Sequence, residues 1–228
     1  MIGTAAAVLL TVFIIYDLAP NFYARNLAPE VVKTLPEADV ALTFDDGPHP
    51  VYTPRLLDLL DKYQVQATFF VLAENALEHP HLIARMKNEG HTVGIHSASH
   101  FPAWLNPPWR SARDLERCLQ VFRQLQVPAL FYRPPWGTFN LLTLRQARVH
   151  GLRTILWSLS PGDWRKNATA EQICIHILDR VETGDIILLH DHQGNSSSPE
   201  ITLKALETII PALLERGYHF ATIEQASS

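Results

Sequence analysis

From residue 39 onward the chain repeats one pattern: a short apolar run rich in β-branched or aromatic residues, a longer stretch with helical spacing, then the next apolar run. Seven runs read as strands, near residues 40–44, 67–72, 92–95, 130–132, 154–158, 185–190 and 218–222. Neighbouring parallel strands cannot be joined by a tight hairpin, so strict alternation demands crossover helices and an α/β fold. Seven strands suit an open doubly wound sheet or a barrel one strand short of the usual eight. No GxGxxG follows the first strand, so nothing supports the dinucleotide-binding version of the open sheet.

The helix ends carry their own marks. Thr53 and Pro54 predict an N-cap and a first-turn proline ahead of RLLDLLDKY, in which Leu56, Leu57, Leu60 and Tyr63 share one face. Gly90, Gly151, Gly184 and Gly217 each stand between a helical pattern and the next strand, where a left-handed cap is made most easily by glycine. No long Ser/Gly/Pro tract follows residue 40, so one domain is expected over residues 39–228, after a Pro-spaced connector over 25–38.

Residues 1–24 form a hydrophobic leader with no charge before Asp17. Its 16-residue uncharged run makes a helix of roughly 24 Å, against about 30 Å of hydrocarbon. No Lys or Arg precedes it and no small-x-small cleavage site follows. We expect an uncleaved membrane attachment through residues 2–16, with a cleaved signal, or a buried helix or mis-set start, as alternatives. The protein is thus expected to be membrane-anchored or secreted and to face the cell envelope, although Arg25 and Lys33 after the segment pull toward a cytoplasmic domain.

Composition narrows the function classes. With 19 basic and 23 acidic residues the net charge is -4, which gives no electrostatic reason to expect nucleic acid as a partner, and no protein partner is indicated. Cys118 and Cys174 belong to no metal or redox spacing and are read as reduced or inert.

The unusual polar residues fall directly after the expected strands, on the side where parallel α/β folds build their sites. In ALTFDDGPHP, Gly47 and Pro48 turn the chain so that Asp45 and Asp46 reach the same mouth. Asp-Gly-Pro alone is ordinary turn chemistry, but two carboxylates at a buried strand end repel unless a cation binds one or a positive side chain offsets the other. His96 and His100, four apart, are expected on one face of a helical turn. With one Asp they make two imidazoles and a carboxylate with an open position, as in a hydrolytic zinc site. Arg133, before Pro134, Pro135, Trp136 and Gly137, is the candidate cation beside the other carboxylate. His190 emerges from the apolar run Ile186–Leu189 and has the chemistry to protonate a leaving amine. Asp191 and His192 follow as supporting or loop residues. Asp163 and Trp164 by themselves read as a helix N-cap and a core aromatic. PAWLNPPWRS, with Trp104 and Trp109, and the polar HQGNSSSPE are candidate rim loops; the two tryptophans suit sugar stacking or plain packing.

In order, TFDDGP (43–48), HSASH (96–100), RPPWG (133–137), GDW (162–164) and LLH (188–190) resemble the five motifs of the polysaccharide deacetylase family, the NodB-homology carbohydrate esterases. The resemblance covers roughly residues 39–223 and implies a distorted, TIM-barrel-like (β/α)7 barrel. It implies that Asp46, His96 and His100 bind a divalent metal ion, zinc by expectation, and that Asp45 is the general base. Arg133 would orient Asp45, His190 would be the general acid and Asp163 would set its charge. Trp164 and Leu188 would enclose the acetyl methyl group, and Trp136 would form the groove wall. The implied reaction is hydrolytic removal of N-acetyl groups from N-acetylglucosamine-containing polysaccharide, either peptidoglycan or chitin-like oligomers. An O-acetyl esterase or non-sugar amidohydrolase with the same site, and a non-catalytic carbohydrate-binding protein, are the competing readings. Trp136 stands where tyrosine is frequent in the family, Ile95 replaces a commonly polar residue, and Ser160 stands near a missing acidic residue.

Overall fold

The computed structural model describes residues 2–36, 39–192 and 198–227; most of the HQGNSSSPE stretch, residues 193–197, lies outside them. Among the described residues eight strands form: β1 (Val31–Val32), β2 (Asp39–Asp45), β3 (Thr68–Leu72), β4 (Thr92–Ser97), β5 (Phe131–Tyr132), β6 (Arg153–Ile155), β7 (Ile186–His190) and β8 (His219–Phe220). Seven of them occupy the expected positions. The eighth, β1, arises in the connector, where a two-residue valine run is too short to show any periodicity. The strand expected over 154–158 ends at Ile155.

The strands run β1-β6-β5-β4-β3-β2-β7, with β8 beside β2, and every pair of named strands is parallel. Beyond β6, Ser158 and Leu159 donate their N–H groups to Ile186 O, and Leu188 N–H donates to Leu159 O. The chain beyond β6 is thereby joined to β7, so the sheet curls into the distorted barrel that the family resemblance implied, and the open doubly wound alternative falls away. Strands of such a sheet are covered on both faces, which explains why β3 is buried at every residue.

The helix Tyr52–Lys62 buries Leu56, Leu57, Leu59 and Leu60, each worth about 1.5–3 kcal/mol, while Tyr63 is half-buried behind it. Thr53 does not cap this helix. The helix begins one residue earlier, and the Thr53 hydroxyl accepts from His49 N–H and donates to the Asp191 carboxylate instead. The four expected glycines all have positive φ, from 68° to 88°; Gly90, Gly151 and Gly217 follow directly on helix ends, whereas Gly184 lies six residues past the helix Ala170–Leu178, in the turn before β7, and caps no helix. At Gly184 a Cβ would also stand 2.9 Å from Leu35 O, so only glycine fits in that turn. Cys118 is buried and Cys174 half-buried, both as free thiols.

The N-terminal apolar segment is one continuous rod: α-helix Ile2–Phe13, a π-helical turn Ile14–Leu18, then α-helix Ala19–Asn26. Its second half lies on the barrel rim. Leu141 N–H donates to Tyr16 O at 2.7 Å, Phe139 N–H to Asn21 Oδ1 at 3.0 Å, and Arg25 Nη1 to Gly137 O at 3.0 Å.

Candidate active site

The carboxyl ends of the strands surround a cavity of about 310 Å³ lined by Asp45, Asp46, His96, His100, Trp136, Trp157, Trp164, Leu188 and His190. Three sets of side chains divide the work around it.

Asp45 is the last residue of β2 and accepts from Arg133 Nη1 at 2.7 Å. Arg133 is fully buried. Its Nη1 also donates to Thr43 Oγ1, its Nη2 to Leu156 O, and its guanidinium carbon lies 4.1 Å from the Phe70 ring centroid. Burial draws the guanidinium pKa down and the Asp45 carboxylate works against it. Removing either partner would strand a charge in a low-dielectric interior, so the two stand or fall as a unit.

Asp46 differs from its neighbour. The chain turns at φ 76°, and Asn75 Nδ2 holds the Asp46 carbonyl at 2.8 Å. At Gly47 a Cβ would fall 2.3 Å from the Asp191 carboxylate, which is why the turn requires glycine there. Asp191 is itself buried; desolvation pushes its carboxyl up to about 7.

The Asp46 side chain faces His96 Nε2 at 3.4 Å and His100 Nε2 at 3.2 Å through one oxygen, Oδ1, which is buried and has no hydrogen-bond partner among the described residues. The helical turn expected for the two histidines does not form. His96 lies in β4, whereas His100 lies in the loop beyond it at φ 57°, its N–H donating to Ser97 Oγ at 2.7 Å. The residues between them continue a strand and then reverse, so a spacing of four brings the rings together without a helix. Their ring centroids are 5.2 Å apart. His96 Nδ1 lies 2.8 Å from Arg133 O. A carbonyl can only accept, so Nδ1 carries the proton and Nε2 turns its lone pair toward Asp46.

Burial foremost lowers the His100 imidazolium to about 4, leaving that ring neutral. Burial also opposes charge on His96, but Asp45 and Asp46 outweigh it and raise its pKa. Burial would raise the Asp46 carboxyl, yet the nearby imidazoles of His96, His100 and His190 bring it down. The three donor atoms all lie within 4.8 Å of one another. Tetrahedral ligands at zinc bond lengths stand about 3.3 Å apart, close to both observed separations. An orphaned carboxylate oxygen facing two imidazole nitrogens therefore fits a divalent cation.

Across the cavity, His190 ends β7. Its Nδ1 lies 3.0 Å from Asp163 Oδ1, and its backbone N–H donates to Asp163 Oδ2 at 2.8 Å. Thr202 Oγ1 donates to the same Oδ2 at 2.9 Å, and Ser198 Oγ donates to the Asp163 carbonyl. Asp163 is fully buried, so it is no solvent-exposed helix cap. Burial alone would lower the His190 imidazolium, but the charge and hydrogen bond of Asp163, with help from Asp46 and Asp45, carry it up to about 9. Trp164 meets the His190 ring edge-on at 5.3 Å and is too exposed to be a core aromatic, while Leu188 is buried beneath. Trp136, at φ 54°, sets its ring 4.1 Å from the His100 ring.

The sequence reading did not single out Trp157, Asn75, Thr202, Ser198, Phe70 or Thr43 as parts of the site. Trp157 lies inside the strand-end stretch LWSLSPGDW and was within reach of the same argument. Thr202 and Ser198 come from a helix more than thirty residues after Asp163, and nothing in their local pattern marks them.

Comparison with known proteins gives a consistent set of relatives. The family model for polysaccharide deacetylase matches residues 32–155. A peptidoglycan-N-acetylglucosamine deacetylase of Bacillus cereus is 37% identical over 211 residues, covering 92% of this chain and 95% of the relative. A chitooligosaccharide deacetylase of Sinorhizobium fredii is 35% identical over 217 residues, covering 86% and 97%. Among solved structures, the Bc1960 peptidoglycan N-acetylglucosamine deacetylase superposes with a TM-score of 0.82 at 31% identity, covering 91% of this chain and 96% of its own.

Proposed function

Because the chain belongs to the polysaccharide deacetylase family, we propose that it is a metal-dependent hydrolase that removes N-acetyl groups from N-acetylglucosamine-containing glycans, peptidoglycan or chitin-like oligomers. One observation carries this reading. A single cavity joins an unpartnered Asp46 oxygen and two imidazoles to an arginine-held carboxylate on one side and a carboxylate-held imidazolium on the other.

Asp46, His96 and His100 would hold the cation, and one carboxylate with two imidazoles suits zinc. When bound, such an ion polarises an amide carbonyl and makes water a stronger acid. Asp45 accepts the proton of the attacking water, and Arg133 keeps that carboxylate pointed at the cavity. His190 carries a proton at neutral pH and delivers it to the sugar nitrogen as the carbon–nitrogen bond breaks, with Asp163 balancing the imidazolium charge. Leu188 and Trp164 bound an apolar pocket for the acetyl methyl, and Trp136 forms the wall along which the sugar lies. Acetate leaves, and a free amine remains on the glycan.

The catalytic domain is assigned to residues 39–228. The apolar segment Thr4–Asn26, with mean hydropathy 1.7 over its most apolar window, attaches it to a membrane so that the domain faces the cell envelope. The test is to purify the full chain in detergent, measure bound metal, and assay acetate and free amine released from acetylated chitooligosaccharide and from peptidoglycan. Equal amounts of both products, lost on chelation and restored by a divalent metal, are expected. Cleavage of acetate esters alone would assign the site to an esterase, and a protein that takes up no metal would overturn the reading.

A further inference from the structure

The docked half of the N-terminal helix is amphipathic in the wrong sense for water. Its inward stripe is Asp17, Asn21 and Ala24, spaced four and three apart, and Asp17 and Ala24 are buried. Its outward face carries Leu18, Phe22 and Tyr23, exposed by 54%, 60% and 43%, with Arg25 and Asn26 exposed only in its last turn. The hydrophobic effect in water would reverse that choice. In lipid the order is the expected one, because polar and small residues face the protein while large apolar ones face the acyl chains.

The barrel surface beside this helix has the same character. Tyr16 Oη donates to Asn106 O, and Tyr16 O accepts from Leu141 N–H. Asn140 Nδ2 donates to Ala103 O and Asn106 O, which ties the loop 103–106 to the chain at Leu141. On this tied surface Trp104, Leu105, Trp109 and Leu141 are all at least half exposed. Plain packing is therefore excluded for the two tryptophans. An exposed apolar cluster of this kind marks a contact surface, and tryptophan is the residue most enriched where a bilayer meets water.

The two observations share one geometric consequence. The apolar segment Thr4–Asn26 has 23 residues, roughly 34 Å of helix, and it runs on through the docked half. A bilayer that takes up this segment must also meet the rim against which it is docked. Building on the membrane attachment proposed above, we propose that Trp104, Leu105, Trp109 and Leu141 form a second, lipid-embedded contact that seats the barrel rim in the bilayer interface. Gly137, which accepts from Arg25 on the helix, follows Trp136 on the cavity wall. The cavity is then held beside the bilayer rather than tethered at a distance, and the glycan within its reach is the membrane-proximal layer.

The full chain is reconstituted into vesicles of phosphatidylcholine and phosphatidylglycerol, floated on a density gradient, and compared with vesicles whose acyl chains are brominated. Wild type is expected to float, and its tryptophan emission to fall in brominated vesicles. The W104F/W109F variant, with metal content matched to wild type as a check on folding, should still float and lose most of that fall. If it floats and is quenched as strongly as wild type, the loop lies in water; this inference is then overturned while the helix attachment stands. If wild type does not float, both readings fail together. If the variant is quenched like wild type but needs several-fold more chitooligosaccharide to reach half-maximal rate in detergent, the tryptophans face sugar and the lipid contact is wrong.

Discussion

Two walls of the same cavity are finished to different degrees. At the Asp163–His190 wall both carboxylate oxygens are engaged, by the His190 ring, the His190 backbone and Thr202. At the Asp46 wall an oxygen buried just as deeply has no hydrogen-bond partner among the described residues and faces two imidazole nitrogens. Buried acceptors are ordinarily satisfied, because leaving one unpaired costs about 1–3 kcal/mol. The filled wall is complete as protein alone and is suited to holding a proton. The unfilled wall has the donor set and spacing that fit a divalent cation.

Asp46→Ala should have the largest effect, since it removes the proposed metal ligand at the unfilled wall. Bound metal should disappear from elemental analysis, and kcat/KM should fall by more than about a thousandfold. Full metal occupancy in this variant would erase the contrast between the walls. Asp45→Asn should keep the metal, because Asp45 is taken up by Arg133, and should lose about a hundred- to ten-thousandfold in turnover. Equal metal loss in the two variants would show that both carboxylates serve the cation.

Asp163→Asn probes the filled wall through pH. In the metal-free protein the folded His190 titrates at about 9, against an ordinary value near 6.5. The stabilisation from this raised pKa is fully present below about pH 6.5 and lost as pH rises through 9, and it amounts to about 3 kcal/mol. Urea titrations of the chelated wild type should therefore show stability falling between those pH values, with the slope largely absent in Asp163→Asn. A slope that survives the substitution would assign the proton elsewhere. Thr202→Val, the mildest change, removes one of three bonds to the Asp163 carboxylate and should cost about 1 kcal/mol without changing metal content.

Much of this was legible in the chain. Strand positions, three of the four expected glycine caps and the gathering of polar residues at strand ends all follow from local periodicity and turn chemistry. The errors share a cause as well. His96 and His100 carry a spacing that helices and reversed strand ends both satisfy, and only the left-handed backbone at His100 distinguishes them. Thr53 has the composition of a cap, but a buried carboxylate from β7's far end claims its hydroxyl. Strand β1 is two valines whose role depends on β6, more than a hundred residues away.

A parallel α/β fold, the rim on which the chemistry gathers, and the five motifs that name the family are all local properties of the chain, because side-chain period and turn residues act within a few positions. It took the folded chain to show that Thr43 and the Leu156 carbonyl hold Arg133 against Asp45, that Thr202 completes Asp163, and that the apolar helix turns its large side chains outward. Those choices depend on which strand ends and loops come to lie side by side. That adjacency is set by closure of the whole barrel and has no signature within any one segment.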